Sequence, residues 1–316
     1  MKHLTFPCLF LCMACLLSCN KSDNEMNEFL IDGINTSNYP KVDDSTSTQP
    51  LQSLIACKLL GMDYEWAFDP LYMHHTIRPP LQNKEAFSFI INQVRNTGTH
   101  SSFINLINGD ADIIIAAREA SEPELWEAEL KNVTLIHSPI AIDALIFILN
   151  EENPVTSLTT GQIRDIYTGD ITNWSTTGGM NETIKPFKRN PTSGSQVLME
   201  DLIMKDLKMP DLPEMEVSPT MWGPFSLLSY HKSGICYTVW YYKEFMARAE
   251  HVKHISVDGV YPDINTIKNG EYPYTTDIYL VIREDLDNSS MAYRLYQLLM
   301  TPAGRKVIEE SGNIPY

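Results

Sequence analysis

Cysteine, basic charge and long apolar runs are all scarce in this chain, and each scarcity removes a class of protein. Of its 316 residues only 6 are Cys, and Cys8, Cys12, Cys15 and Cys19 crowd into the first nineteen positions. That leaves Cys57, in an apolar helical pattern, and Cys236, in a strand-like run, so two buried free thiols are expected and a disulfide framework is excluded. Lys and Arg number 24 against 40 Asp and Glu, for a formal charge of −16. Binding nucleic acid needs basic patches to neutralise phosphates, so no nucleic-acid partner is expected. After Leu4–Leu17 no apolar run reaches the length that spans a bilayer. G-x-G-x-x-G, P-loop and H-E-x-x-H patterns are missing, which removes support for dinucleotide, nucleoside-triphosphate and zinc-protease chemistry. Ser193 and Ser195 lie in no G-x-S-x-G elbow and no base is indicated, so a phosphoesterase is a weak rival; the chain is expected to be no enzyme and to need no cofactor. His74-His75 has no third ligand at a useful spacing, so the pair is read as solvated loop residues and no metal is expected.

What is present begins with an address. Lys2 and His3 precede an apolar run from Leu4 to Leu17, too short for a membrane anchor and suited to a signal peptide over residues 1–18. The run ends Leu16-Leu17-Ser18-Cys19, a lipobox pattern that makes Cys19 the candidate lipidation site and residues 19–27, which include Asn20-Lys21-Ser22-Asp23-Asn24-Glu25, a polar tether. The expected location is the bacterial cell envelope, with a lipid on Cys19 as the membrane contact.

The remainder is 43% hydrophobic and 10% aromatic over the whole chain, enough for a buried core. Asp112–Ala117, Val133–Ile136, Ala144–Leu149 and Ile235–Trp240 read as buried strands. Between them, Leu51–Leu60 follows Pro50 as a helix, while Ser121-Glu122-Pro123-Glu124 and Thr159-Thr160-Gly161-Gln162 open helices with capping-box spacing. The alternation predicts an α/β fold. No Pro/Gly/Ser linker interrupts it, so two domains would be joined by ordered crossings.

Three loops share one design, with hydroxyl residues at the start of a helix whose first-turn amides are unpaired and can hold an anion. They are Asp44–Pro50, Thr97–Ser102 and Arg189–Gln196. Any one alone is an ordinary cap. The third differs because Arg189 lies four residues before Ser193, which puts a planar guanidinium beside the same loop; Ser193 and Gln196 fit a capping box and Gly194 permits close approach. Trp222 and Trp240-Tyr241-Tyr242 are read as core or interface packing, not as cleft lining.

Tyr39–Leu51, with its Asp44-Ser45-Thr46-Ser47-Thr48-Gln49-Pro50, resembles the opening loop of phosphate-binding subunits of phosphate ABC importers. The resemblance continues in order through Asn153–Trp174, Arg189-x-x-x-Ser193-Gly194-Ser195, Val257–Pro262, Gly270–Tyr274 and Thr301–Pro315. It implies a two-lobed periplasmic-binding-protein fold of the second type, with two hinge crossings and a ligand cleft between lobes. Lobe 1 would comprise 28–143 plus 255–316 and lobe 2 would comprise 144–254. It further implies a monomer that captures inorganic phosphate or a similar oxyanion for an ABC permease. Carried over by position, Thr48 would donate its hydroxyl and Gln49 its amide; Thr99, His100 or Ser101 would add a second contact; Arg189, Ser193, Gly194 and Ser195 would close from the other lobe. Where many phosphate-specific relatives carry an aspartate that accepts a proton from hydrogen phosphate, this chain has Arg118, a candidate selectivity position, with Asp44 or Asp143 as substitute acceptors. The rival from another class is a surface lipoprotein that reuses the fold for adhesion or phosphate sensing.

Overall fold

The structure, a computed structural model, describes residues 29–316; the leader, Cys19 and the tether lie outside the described residues. In chain order the first stretch holds β1 (Val42–Asp44), α1 (Gln49–Leu59), β2 (Glu65–Asp69), β3 (His74–Arg78), α2 (Lys84–Gln93), α3 (Thr99–Asn108), β4 (Ile113–Ala116), α4 (Glu122–Leu130) and β5 (Leu135–Asn150). A second stretch adds β6 (Ser157–Leu158), α5 (Thr160–Thr168), β7 (Lys185–Arg189), α6 (Gly194–Leu198), β8 (Glu216–Ser218), α7 (Gly223–Tyr230), β9 (Gly234–Val239), β10 (Val252–His254), β11 (Ser256–Val257) and α8 (Ile264–Lys268). The chain closes with β12 (Thr275–Arg283), α9 (Met291–Leu299), α10 (Pro302–Glu310) and β13 (Ile314–Pro315). Short π-helical turns lie at Met199–Met204 and Tyr242–Ala247.

Strand order in the main sheet is β1-β4-β12-β5-β9-β7-β8. β4 reads Ile-Ile-Ile-Ala because it is flanked on both sides, parallel to β1 and antiparallel to β12, and every residue of it is buried. Ser121 with Glu124 and Thr159 with Gln162 do form capping boxes, and these start α4 and α5 where the sequence places them. Cys57 and Cys236 are buried free thiols.

β5 joins the two halves. Its residues Leu135 to Ala144 pair with β12, and its residues from Leu145 onward pair with β9. Leu135-Ile136 of the run Val133–Ile136 and the whole of Ala144–Leu149, read as separate strands, thus fall on one continuous strand of 16 residues. Pro139 lies at a register shift against β12, where a residue without an N–H costs the ladder least. The first-half core gathers Val42, Leu51, Leu54, Ile113 and Leu280, while the second gathers Phe147, Trp174, Phe187, Tyr237 and Tyr242. Ile255, Val257, Ile267 and Tyr272 also pack into the second core, so the apolar packing of lobe 2 runs past the expected return at residue 255, and the chain re-enters the first-half sheet at Thr275.

Candidate functional site

The cleft between the halves has a volume of about 430 Å³ and collects all three hydroxyl loops. Ser45, Thr46 and Ser47 line it from the turn after β1, Thr97 to Ser101 from the start of α3, and Arg189 with Thr192 to Ser195 from the end of β7.

The first-half wall is assembled by buried polar bonds. Asp43 accepts from the Thr97 amide (3.0 Å) and hydroxyl (2.7 Å) and from the Asn105 amide group (2.6 Å), pinning the Thr97 loop to β1. Gly98 turns that loop with φ of +85°, a conformation disfavoured for a residue with a Cβ, and its N–H reaches the Asp44 carbonyl. α3 therefore starts at the cleft without a side-chain cap, leaving its first-turn amides to a ligand. Ser45 Oγ accepts from the Ala117 N–H (3.0 Å) and donates to Thr99 Oγ1 (2.9 Å), which fixes both hydroxyls.

Thr48 and Gln49, the contacts expected from the sequence, are not among the residues that line the cleft. Thr48 is fully buried, and its hydroxyl is within 2.8 Å of the Ile115 carbonyl and 2.9 Å of the Ser45 carbonyl, closing the 3-10 turn instead of facing a ligand. Gln49 Oε1 faces His74 Nε2 at 3.2 Å, and neither Thr48 nor Gln49 lines the cleft. The three residues before them, Ser45, Thr46 and Ser47, line the cleft instead.

Across the cleft, Arg189 ends β7 with only 4% of its surface exposed. Its Nε donates to the Ser218 carbonyl (3.1 Å) and its Nη1 to Ser195 Oγ (3.2 Å), and among the described residues no carboxylate lies within ion-pair distance. Burial pulls its pKa below the ordinary guanidinium value, because a desolvated charge is disfavoured. Ser193 caps α6 by accepting from the Gln196 N–H, but the expected capping box is only half formed. The Gln196 side chain instead accepts from the Arg189 N–H (3.0 Å) and the Tyr237 hydroxyl, so it orients the arginine's strand. Gly194 abuts the other lobe: a Cβ there would stand 2.7 Å from Thr99 Oγ1.

Arg118 is displaced from its expected role. Its guanidinium holds both oxygens of buried Glu124 at 2.8 Å, His100 Nδ1 adds a third contact at 3.0 Å, and Arg118 does not line the cleft. Burial pushes the Glu124 carboxyl up, but the bonds and charge of Arg118 outweigh it and hold the pKa below the ordinary value. Neither substitute acceptor reaches the cleft. Both Asp44 oxygens are buried without a hydrogen-bond partner, and burial, reinforced by neighbouring Asp43, raises its pKa well above the carboxylate range. Asp143 accepts from the Ala144 and Tyr241 amides at the crossing of β5, and burial raises its pKa to about 7.

Several lining residues gave no sequence signal. Leu71, Tyr72, Met73 and His74 reach the cleft from the β2–β3 hairpin, a pattern of exposed apolar residues at a turn. His74 is buried on β3 against Tyr242 and is not a solvated loop residue; burial lowers its pKa to about 4. Trp222 packs on the second core, stacking on Phe225, as expected of it, and in addition lines the cleft.

Two lobes sharing a strand thus frame a cleft on which hydroxyls, helix-start amides and Arg189 converge from both sides, the arrangement of a solute-binding protein. Residues 90–301 match the sequence profile of the PBP superfamily domain, and the chain belongs to that family. Among curated relatives it is 25% identical over 230 residues to protein SphX of Synechococcus elongatus, covering 69% of this chain and 67% of the relative. It is 24% identical over 232 residues to the phosphate-binding protein PstS of Borreliella burgdorferi, covering 68% of this chain and 76% of that one. Among solved structures it shares its fold with a phosphate-bound substrate-binding protein from Clostridium perfringens (TM-score 0.63, 22% identity, 87% of this chain and 98% of the other). An ABC-type phosphate transport receptor from Vibrio cholerae is similar to the same degree (TM-score 0.61, 21% identity, 87% and 99%).

Proposed function

We propose that this protein is an extracytoplasmic solute receptor that closes its lobes on inorganic phosphate or a similar tetrahedral oxyanion and delivers it to an ABC permease. It acts as a monomer, held at the cell envelope through a lipid on Cys19, and performs no chemistry. The observation that carries the reading is Arg189, a buried guanidinium without a carboxylate partner, facing hydroxyls from both lobes. Ser45 to Ser47 and Thr99 on one side and Ser193 to Ser195 on the other are the proposed contacts. Hydrogen bonds to a charged ligand at about 1.5–3 kcal/mol each, less the costs of desolvation and closure, suffice for the ~8 kcal/mol of a micromolar complex. Because donors come from both lobes, capture and closure are one event.

No Asp or Glu is among the described residues lining the cleft, so nothing there repels a fully ionised anion. Calorimetric titration of the anion-stripped protein is expected to show binding of phosphate and also of sulfate. Arg189→Ala should lose both while keeping the wild-type circular dichroism spectrum. A folded Arg189→Ala protein with unchanged affinity refutes the site, and wild-type protein that binds neither anion favours the adhesion reading.

A further inference from the structure

Beside the hydroxyls and Arg189, whose Nη1 lies 3.2 Å from Met221 Sδ, the cleft is lined by apolar side chains. Leu71, Tyr72 and Met73 at the hairpin tip and Met221 and Trp222 at the start of α7 line it together with Tyr242. These surfaces are held in place. Trp222 stacks on Phe225 at 5.5 Å, and Tyr72 stacks on His74 at 5.7 Å, with His74 in turn edge-on to Tyr242 at 5.6 Å.

The apolar space does not reflect open lobes, since Gly194 and Thr99 already meet across the cleft. A volume of about 430 Å³ falls within the range of roughly 300–1,000 Å³ that encloses small organic molecules, and a five-atom oxyanion leaves most of it unfilled. A second observation agrees. With no carboxylate in the lining, the proton of hydrogen phosphate meets no strong acceptor. A phosphate monoester, with a second pKa near 6, is a proton-free dianion at neutral pH and carries carbon where hydrogen phosphate carries that proton.

We infer that the cleft takes phosphate monoesters bearing a small apolar or aromatic substituent. The phosphoryl group sits on Arg189 and the hydroxyl loops, and the substituent sits between the hairpin tip and Met221–Trp222. This rests on the oxyanion reading, and one titration separates the two. Phenyl phosphate and inorganic phosphate are each titrated into the anion-stripped full protein. Phenyl phosphate is expected to bind within about tenfold of inorganic phosphate or tighter. Trp222→Ala should weaken phenyl phosphate by about tenfold and inorganic phosphate by less than about twofold. Leu71→Ser, at an exposed position on the opposite lobe, should show the same selective loss and guards against a folding defect in the tryptophan variant. Phenyl phosphate weaker than inorganic phosphate by more than about tenfold, or equal losses for both ligands in both variants, overturns the inference alone. Binding of neither ligand to the wild type overturns the oxyanion site with it.

Discussion

The residues from Ser45 to Thr48 are all small hydroxyls, yet they do different work. Thr48 spends its hydroxyl on buried carbonyls, while Ser45, Thr46 and Ser47 face the cleft. Thr48→Val should therefore lower unfolding stability by about 1 kcal/mol, the worth of one lost buried hydroxyl hydrogen bond, since the Ile115 and Ser45 carbonyls keep their backbone donors. Urea denaturation would register this, and phosphate affinity should stay within about twofold of wild type. Arg118 offers a second contrast. Its ion pair with Glu124 is 4% and 0% exposed at the two side chains, so Arg118→Met strands a buried carboxylate and should cost about 3–5 kcal/mol. An Arg118→Met protein as stable as wild type, measured the same way, would contradict the pairing. The strand-to-helix turn that gathers Arg189 and the Ser193–Ser195 hydroxyls was visible in the sequence, although the guanidinium bonds Ser195 Oγ, six residues on, and Ser193 Oγ meets it only through Ser195. The choice between Thr48 and Ser47 was not, since it depends on which way a single 3-10 turn rotates. The charge of Arg118 was equally visible, but its partner six residues on was not singled out.

Among the elements, β5 carries the most consequence. Two apolar runs with Ser138-Pro139 between them look like two strands, because proline ordinarily ends a ladder. A register shift at that point lets one strand continue from the first half into the second. Asp143 lies just before the change of partners, between Ala144 and the Tyr241 turn. Its carboxyl keeps a proton up to about pH 7 in the folded protein, whereas the unfolded chain releases it near 3.9. Over that window the folded state binds more protons, so this group's contribution makes stability fall as pH rises from about 4 through about 7. Asp44, raised in the same direction by burial and by Asp43, adds to the fall. Asp143→Asn keeps an oxygen for the two amides and removes the ionisation. Its melting temperature should exceed that of wild type at pH 8 and approach it near pH 5, as differential scanning calorimetry across that range would show. A wild-type profile that rises between pH 5 and 8, unchanged in the variant, would place the ionisation elsewhere.

For the whole molecule, the α/β alternation and the order of the family-like loops were readable from one end of the sequence to the other, because both are written in local patterns. The division of the core was less so: Ile255, Val257, Ile267 and Tyr272 join the second half through packing that no linker composition announces. The same holds for the hairpin that brings Leu71 to Met73 over the cleft, whose exposed apolar tip acquires meaning only opposite Trp222. One last consequence concerns time and not affinity. The guanidinium proposed to hold the anion is buried, while the chain as a whole carries −16. An arriving dianion is repelled until it is a few ångströms from Arg189, and salt shortens the reach of that repulsion. Stopped-flow association should accordingly speed up as ionic strength rises from about 10 to about 150 mM, the reverse of an electrostatically steered receptor. Such a protein draws in little from afar, and its hold on a ligand is expressed in a slow departure from a closed cleft.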